Sequence, residues 1–537
     1  MLAAAIETPG GVMFFRIARA AALVLAFAAA SASAQELTVG LSTPITTLDP
    51  HFHNLSPNNS MVRHVFETLI KTDEAQRPLP GLAESWKALS DTEWEIKLRK
   101  AVKWHDGKEF TADDVLATFK RVPNVPNSPA SFAVFVRPIV DARAVDKHTL
   151  RLKTASAHPL LPSDMSSVLI LPKSVAETAK TEDFNSGRAM IGTGPFKYAE
   201  YVSGDRVVLT RNDGYWGTKP HWSKVTFKMI SSAPARVAAL LAGDVQMIEN
   251  VPTADIAKLK SDGRVTLSSA VSNRLIYLHM DSGRERNSPF VTTADGKLLE
   301  ANPFRDPRVR RAISKMIDRD AIASRIMEGQ AVPAGQLLPE QFFGTSRKLK
   351  PEKYDPEGAK KLLSEAGYPN GFGVTLHAPN NRYINDAAIA QAVAQFMTRN
   401  GIPTKLETMP ANVFFSRGTK LEFSFLLAGW GAESGDTSSP LRALLGTFDA
   451  KAGMGSANRG RFSDAGLDAM ITTALTTIDD TKRGLMLAAA SEKAVELMGL
   501  VPVHYEVSTW GTRKGLAYKA RADQYTLAYD VRPGGAK

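Results

Sequence analysis

Apolar and polar positions change character sharply between Phe423 and Asp436. Phe423-Ser424-Phe425-Leu426-Leu427-Ala428 is an almost unbroken apolar run of strand length, which predicts a strand covered on both faces of a sheet. Gly429-Trp430-Gly431-Ala432-Glu433-Ser434-Gly435-Asp436 follows as a glycine-rich acidic loop, whose backbone can turn sharply and be approached closely. Upstream, Gly373 to His377 predicts a strand, Asp386 to Asn400 a helix and Thr404 to Glu407 a second strand. This βαβαβ run predicts a parallel sheet with a crevice beyond the carboxyl ends of its strands. Arg382 lies in the loop after the first strand of the run, and Trp430, Glu433 and Asp436 lie after the last.

The earlier chain has a different rhythm. Glu36 to Leu41, Trp94 to Arg99 and Phe196 to Tyr201 alternate as half-buried strands. Asp106-Gly107 marks a turn, Thr111 caps a helix carrying Asp113 and Asp114 in its first turn, and a further helix is expected around Ser60 to Leu69. From about Arg274 helix and strand alternate, which predicts an α/β lobe. Asp306-Pro307 and Asp355-Pro356 open helices, with Val309, Ile313, Met316 and Ile317 on one face of the first and Gly367 closing the second. Ile276 to Met280 leaves the first lobe and Val501 to Val507 returns to it, so two crossings are expected.

The first residues change the picture of where this happens. Arg16 and Arg19 precede the apolar run Ala20 to Ala30, and Ala32-Ser33-Ala34 has a small-x-small cleavage form, which predicts an export signal removed before Gln35, with Met1 and Met13 as alternative starts. The run is too short for a membrane helix. There are no cysteines, so neither disulfides nor a lipid-anchored signal is expected. Removal of the signal leaves 503 of the 537 residues, enough for two or three lobes, and changes the net charge only from +11 to +10. Lys and Arg are spread along the chain and not gathered with aromatics in one patch, which argues against nucleic acid.

Candidate chemistry is sparse. His51, His53 and His64 lie close in sequence, but His51-x-His53 supplies only two ligands on one face of an extended segment, short of a convergent metal set. Gly192-Thr193-Gly194-Pro195-Phe196 lacks the Lys-Ser/Thr pair of a phosphate loop. His105 and Asp106 are accounted for by the turn. Glu433 and Asp436 offer an acid and a base for a secreted hydrolase, but both sit on one loop, and no nucleophile motif accompanies them.

Pro80-x-Leu82-Ala83-Glu84-Ser85-Trp86, Trp104-His105-Asp106-Gly107 with Phe110-Thr111-Ala112-Asp113-Asp114-Val115, Gly192 to Phe196, Asn212-Asp213-Gly214-Tyr215-Trp216 and Phe304-Arg305-Asp306-x-Arg308-Val309-Arg310 occur in this order. Together the set resembles the extracytoplasmic solute-binding proteins of ABC importers, dipeptide/oligopeptide-binding (family 5) type. The resemblance implies a two-lobed α/β clamp with the ligand cleft between lobes. Residues 35–277 would form the first lobe with an inserted subdomain at about 75–190, residues 278–500 the second, and 501–537 the return. It implies a periplasmic, monomeric receptor without cofactor, metal or catalysis, which captures a short peptide or similar zwitterion for an ABC permease. Arg382 matches the arginine that takes the ligand's carboxylate, Glu433 stands where the family usually has the Asp that takes its ammonium, and Asp436 matches a second acid. Trp430 is the expected apolar wall, with Tyr505 and Asn54 completing the ligand-facing set. Glu in place of Asp keeps a non-peptide solute open: an opine, an oligosaccharide or a metal complex.

Overall fold

The computed structural model describes residues 35–293 and 295–534. The expected export signal therefore lies outside the described residues. The chain folds as two α/β lobes that share one mixed sheet of twelve strands. In the first lobe Glu36–Leu41 pairs in parallel with Lys224–Met229 and with Met247–Ile248, and Arg206–Arg211 and Phe196–Val202 extend the edge. In the second lobe Phe425–Gly431 and Thr404–Met409 both run parallel to Gly373–Pro379, as the βαβαβ pattern requires, with the helix Asp386–Arg399 as one crossover.

Two long strands join the halves. Val265–Met280 and Val501–Arg513 pair antiparallel along most of their length. Ile248 meets Gly511 at the first-lobe end, and Leu278 meets Leu427 in the second lobe. The ladder breaks in the middle: Val271 pairs with Val507, and pairing resumes only at Leu275 with Tyr505. Ser272, Asn273 and Arg274 thus bulge opposite Glu506 where the chain passes from one lobe to the other. Bulges bend a strand and re-aim side chains, and this one lies at the crossing.

Both faces of the second-lobe sheet are covered, which is why the 423–428 run has no alternation. Ile276, Leu278, Leu376, Leu427 and Val503 pack to one side with Phe304 and Val309. Leu275, Tyr277, Leu426 and Tyr505 pack to the other with Phe414 and Leu444. The first lobe has its own core around Val39, Phe66, Phe196, Phe227 and Trp510. A separate four-stranded antiparallel sheet, Ala83–Ala88, Glu93–Leu98, Thr149–Thr154 and Ile139–Asp146, encloses another core around Trp94, Trp104 and Phe110.

The sequence motifs have structural work in this frame. Asp114 accepts from Thr111 N and from the Trp104 indole, joining turn, cap and strand. Gly192 and Gly194 lie so close to Val65 that a Cβ on either would fall within 3 Å of its carbonyl oxygen, 1.7 and 2.6 Å away. Thr193, Tyr215 and Trp216 all donate to the carboxylate of buried Glu67, at 2.7 to 2.9 Å. Arg310 is buried and donates to the carbonyls of Phe304, Arg305, Leu497 and Met498, so it anchors its helix to the end of Asp480–Glu496; Arg308 stays exposed.

One element is shifted. The helix expected around Ser60 to Leu69 is Ser56–Val62, because Pro57 in the first turn starts it early and Thr68 already bridges to Leu169 as extended chain.

The histidines are spent on packing. His51 contacts the Leu169 carbonyl at 2.7 Å and Arg121 at 2.9 Å, His64 accepts from Ala528 N at 2.9 Å, and the His53 ring contacts Thr46 Oγ1 at 3.2 Å. His279 and His504 are buried without partners, and burial pushes both imidazoles down to about 3. Such a histidine must stay neutral in the fold but binds a proton in the unfolded chain below 6.5. The unfolded state then holds more protons, so stability is lost as pH falls below that value. Urea midpoints are expected to drop between about pH 7.5 and about pH 5.5, and His504→Leu should make the drop smaller. Equal slopes in variant and wild type would contradict this origin.

Candidate functional site

The site is built outward from the end of Phe425–Gly431. A Cβ on Gly429 would sit 2.7 Å from the Tyr383 ring, and one on Gly431 would sit 3.2 Å from the Arg274 guanidinium. The two glycines therefore let Tyr383 and Arg274 lie directly on the strand backbone, the close approach that Gly in a strand permits. Tyr383 is locked there by donating its hydroxyl proton to Gly429 O at 3.1 Å. Arg274, delivered by the bulge, donates to Gln524 Oε1 at 2.9 and 3.1 Å and pairs with Glu506 at 3.3 Å. Glu506 is buried, and its other oxygen accepts from Ile384 N at 3.1 Å.

Arg382 completes this cationic end. Its guanidinium carbon is 5.3 Å from the centre of the Tyr383 ring, whose other neighbour is Arg274 at 6.0 Å. The loop is held by Asp386, which accepts from the backbone N–H groups of Arg382 and Tyr383, leaving the Arg382 side chain free of any ion pair among the described residues. Solvent reaches Arg382, yet protein crowds it as in a groove: burial, then the charge of Arg274, lowers its pKa. Arg274 thus holds Glu506 while Arg382 is left without an ion pair among the described residues, an arrangement suited to an incoming anion.

Glu433 forms the opposite end. Its main chain is clasped by the first lobe: Gln76 Nε2 donates to Glu433 O at 2.7 Å, and Asn273 Nδ2 donates to Gln76 Oε1 at 2.9 Å and to Ala432 O at 3.0 Å. Gly435, at φ 64°, makes the tight turn beyond it and packs on Gln76. The Glu433 carboxylate itself is half-buried, with no ion pair among the described residues. Burial raises its pKa; Arg63 and Arg274 pull it back and Asp523 pushes it further up. Arg274 is therefore a neighbour of both Arg382 and Glu433, and ties the two ends into one cluster.

The other expected site residues are placed differently. Asp436 is buried and spent on the loop: one oxygen pairs with Arg483 and the other accepts from Ser438 N at 2.8 Å. The hydroxyl of buried Tyr505 lies 2.8 Å from Gln336 O and 3.0 Å from Leu338 O, which takes up its proton. Asn54 accepts from Asn59 at 2.8 Å. Trp430 is half-buried, donates to Ser439 Oγ at 3.2 Å and packs against Phe342 and Ala432, so it can serve as a wall. The cluster also recruits Arg274, Tyr383, Glu506, Gln524 and Arg63, which sequence reasoning missed. The glycines flanking Trp430 were the available signal for Tyr383 and Arg274.

Two cavities lie in this part of the molecule, and the second takes in Ser434, Gly435 and Asp436 of the Glu433 loop. One of about 520 Å³ lies in the first lobe, with Arg63, Glu67, Lys71, Tyr215, Arg521 and Tyr525 in its wall. The second, about 390 Å³, lies between lobes and is lined by Gln76, Trp86, Leu160, Phe342, Ser434 and Arg483, among others. Among the described residues no group of three or more His, Asp or Glu is arranged to hold a metal ion, and no helix is long and apolar enough to cross a membrane.

Comparison with known proteins places this architecture. The dipeptide-binding protein of Escherichia coli K12 is 30% identical over 433 residues, 75% of this chain and 76% of that protein. A periplasmic binding protein, DppA from Helicobacter pylori, solved with the peptide STSA, superposes with a TM-score of 0.76 at 22% identity, covering 93% of this chain and 98% of that one. AgaA from A. tumefaciens R10, solved with agropinic acid, superposes with a TM-score of 0.73 at 24% identity over 94% of this chain and 99% of that one. Residues 77–452 match the model described as bacterial extracellular solute-binding proteins, family 5 middle. With two lobes joined at a bulged strand pair and a charged cluster where they meet, the chain belongs to the bacterial extracellular solute-binding proteins of family 5.

Proposed function

We propose that this protein is the periplasmic solute-capturing component of an ABC importer, and that it closes its lobes on a short peptide or similar zwitterionic solute without acting on it chemically. The observation that carries the reading is the pair of opposite charges without ion-pair partners, Arg382 and Glu433, at the two ends of one cluster centred on Arg274. The ligand's carboxylate would lie against Arg382, with Tyr383 as floor, and its ammonium against Glu433. Closure removes water from both pairs and so strengthens them.

The same reading takes residues 35–277 with 501–537 as one lobe and 278–500 as the other, with the insert at about 75–190, the protein acting as a monomer that presents the closed form to its permease. The separate core around Trp94, Trp104 and Phe110 supports the insert. Asn385, with positive φ, donates to Thr253 of the first lobe at 3.0 Å, a contact that opening would break.

A second reading has one specific observation in its favour. The charges of Arg63 and Arg274 beside Glu433 compete with an ammonium, which favours a non-peptide solute such as an opine. A calorimetric panel of dipeptides, N-acetylated dipeptides and opines separates the two.

Arg382→Ala and Glu433→Ala are each expected to weaken dipeptide binding by about tenfold or more in calorimetry. Near-wild-type affinity in both would remove the site assignment. Because the Glu433 carboxyl takes up its proton above the ordinary 4.5, affinity for an ammonium-bearing ligand should fall as pH is lowered, beginning above that value. Glu433→Gln should flatten this dependence; an unchanged profile would show that another group sets it.

A further inference from the structure

Arg63 is the charged group that neither the fold nor the proposed zwitterion uses up. It follows the helix Ser56–Val62 in the first lobe and is half-buried. Nη2 donates to Ser166 O at 2.7 Å, and the guanidinium carbon stands 5.2 Å from the centre of the Tyr525 ring. These two contacts fix the plane of the group. Its Nε is buried and has no hydrogen-bond partner, and the side chain has no ion pair among the described residues. A buried donor left unpaired is unfavourable in the free protein, so the guanidinium gains by turning toward an acceptor that enters the cavity its side chain lines.

Its surroundings say where that acceptor comes from. Arg63 and Tyr525 line the first-lobe cavity, while Ser166, which Arg63 holds, lines the second cavity together with Ser434 and Gly435, and Ser163 Oγ donates to Ser434 O at 3.4 Å, so Arg63 stands beside the Glu433 loop. The cavity's other half-buried or long cations are already matched: Lys71 with Glu67 at 2.6 Å, Lys519 with Glu74, and Arg521 with Asp523 at 2.6 Å. Arg532, also in the wall, is exposed at the surface. Arg63 is thus the enclosed cation of this wall with binding capacity to spare, and it stands beside the Glu433 loop.

We infer that Arg63 is a second anion-binding residue, and that the solute carries an additional carboxylate on the same residue or unit as the ammonium held by Glu433. The inference rests on the zwitterion reading and narrows it. The cluster then offers two guanidiniums and one carboxylate, Arg382, Arg63 and Glu433, to a ligand with two carboxylates and one ammonium. Planar Arg–carboxylate pairing gives direction as well as affinity, so the acid on the amino-terminal side is selected in place as well as in charge. An acidic side chain at the other end of a dipeptide would not reach Arg63.

The test is calorimetry of the mature protein with four probes: Glu-Ala against its isostere Gln-Ala, and Ala-Glu against Ala-Gln. Glu-Ala is expected to bind about tenfold or more tightly than Gln-Ala, with no comparable difference in the reversed pair. Arg63→Gln should abolish the preference, read as the ratio of Glu-Ala to Gln-Ala affinity within the variant, and Arg63→Lys, which keeps the charge, should restore part of it. Equal binding of Glu-Ala and Gln-Ala by the wild-type protein overturns the inference while leaving the zwitterion reading intact. A preference of equal size in the reversed pair, or one that survives in Arg63→Gln, overturns it as well by showing a diffuse charge effect. If Arg63→Gln shifts all four probes alike, the preference survives and the inference is overturned, Arg63 then acting only through its charge beside Glu433. Binding of none of the four overturns both the inference and the reading it rests on.

Discussion

The interrupted pairing of Val265–Met280 with Val501–Arg513 is the constraint on which the molecule depends. An unbroken ladder would join the lobes as one stiff sheet and keep every side chain in register. The break frees Ser272, Asn273 and Arg274 from the return strand, although Arg274 stays paired with Gly431, and turns the side chains of Asn273 and Arg274 to the junction of the lobes. Asn273 clasps Gln76 and Ala432, and Arg274 reaches Gly431, Gln524 and Glu506. In the proposed clamp, hinge and site are thereby the same piece of chain, so a change in lobe angle would move the charges that a ligand meets.

Most of the second-lobe architecture was legible in the sequence, because strand and helix periods are local properties. The 423–428 run reads as doubly covered since both faces do pack, and the βαβαβ order sets the parallel pairing and the end at which Arg382 and Glu433 emerge. The helix of the first lobe was misplaced because Pro57 starts it early, a proline signal outweighed by the apolar spacing that follows. Trp430, Arg382 and Glu433 were visible as loop residues beyond strand ends. Asp436 and Tyr505 were visible too, but Arg483 and the carbonyls of Gln336 and Leu338, which take up their polar groups, lie 47 and 167 to 169 residues away. Arg274 and Glu506 were hidden for the same reason: each reads as an ordinary polar position within a strand until the bulge sets them face to face.

The motifs that carried the family resemblance are largely not in the binding cluster. Gly192 to Phe196 and Asn212 to Trp216 converge on Glu67, and Arg310 ties helix ends by their carbonyls. They are buried polar nodes, whose partners must all be present because an unpaired member in low dielectric is costly. This explains why the motifs report family and fold while the proposed ligand site, the cluster around Arg274 with Glu433 and Arg63, lies elsewhere.

Native mass spectrometry of the protein taken from the periplasm of its own cells tests the central claim most directly. The account predicts one small solute per chain, carrying both amino and carboxyl groups and released on denaturation as an unmodified compound. A neutral solute without an ammonium, or a product altered by the protein during incubation, would contradict it.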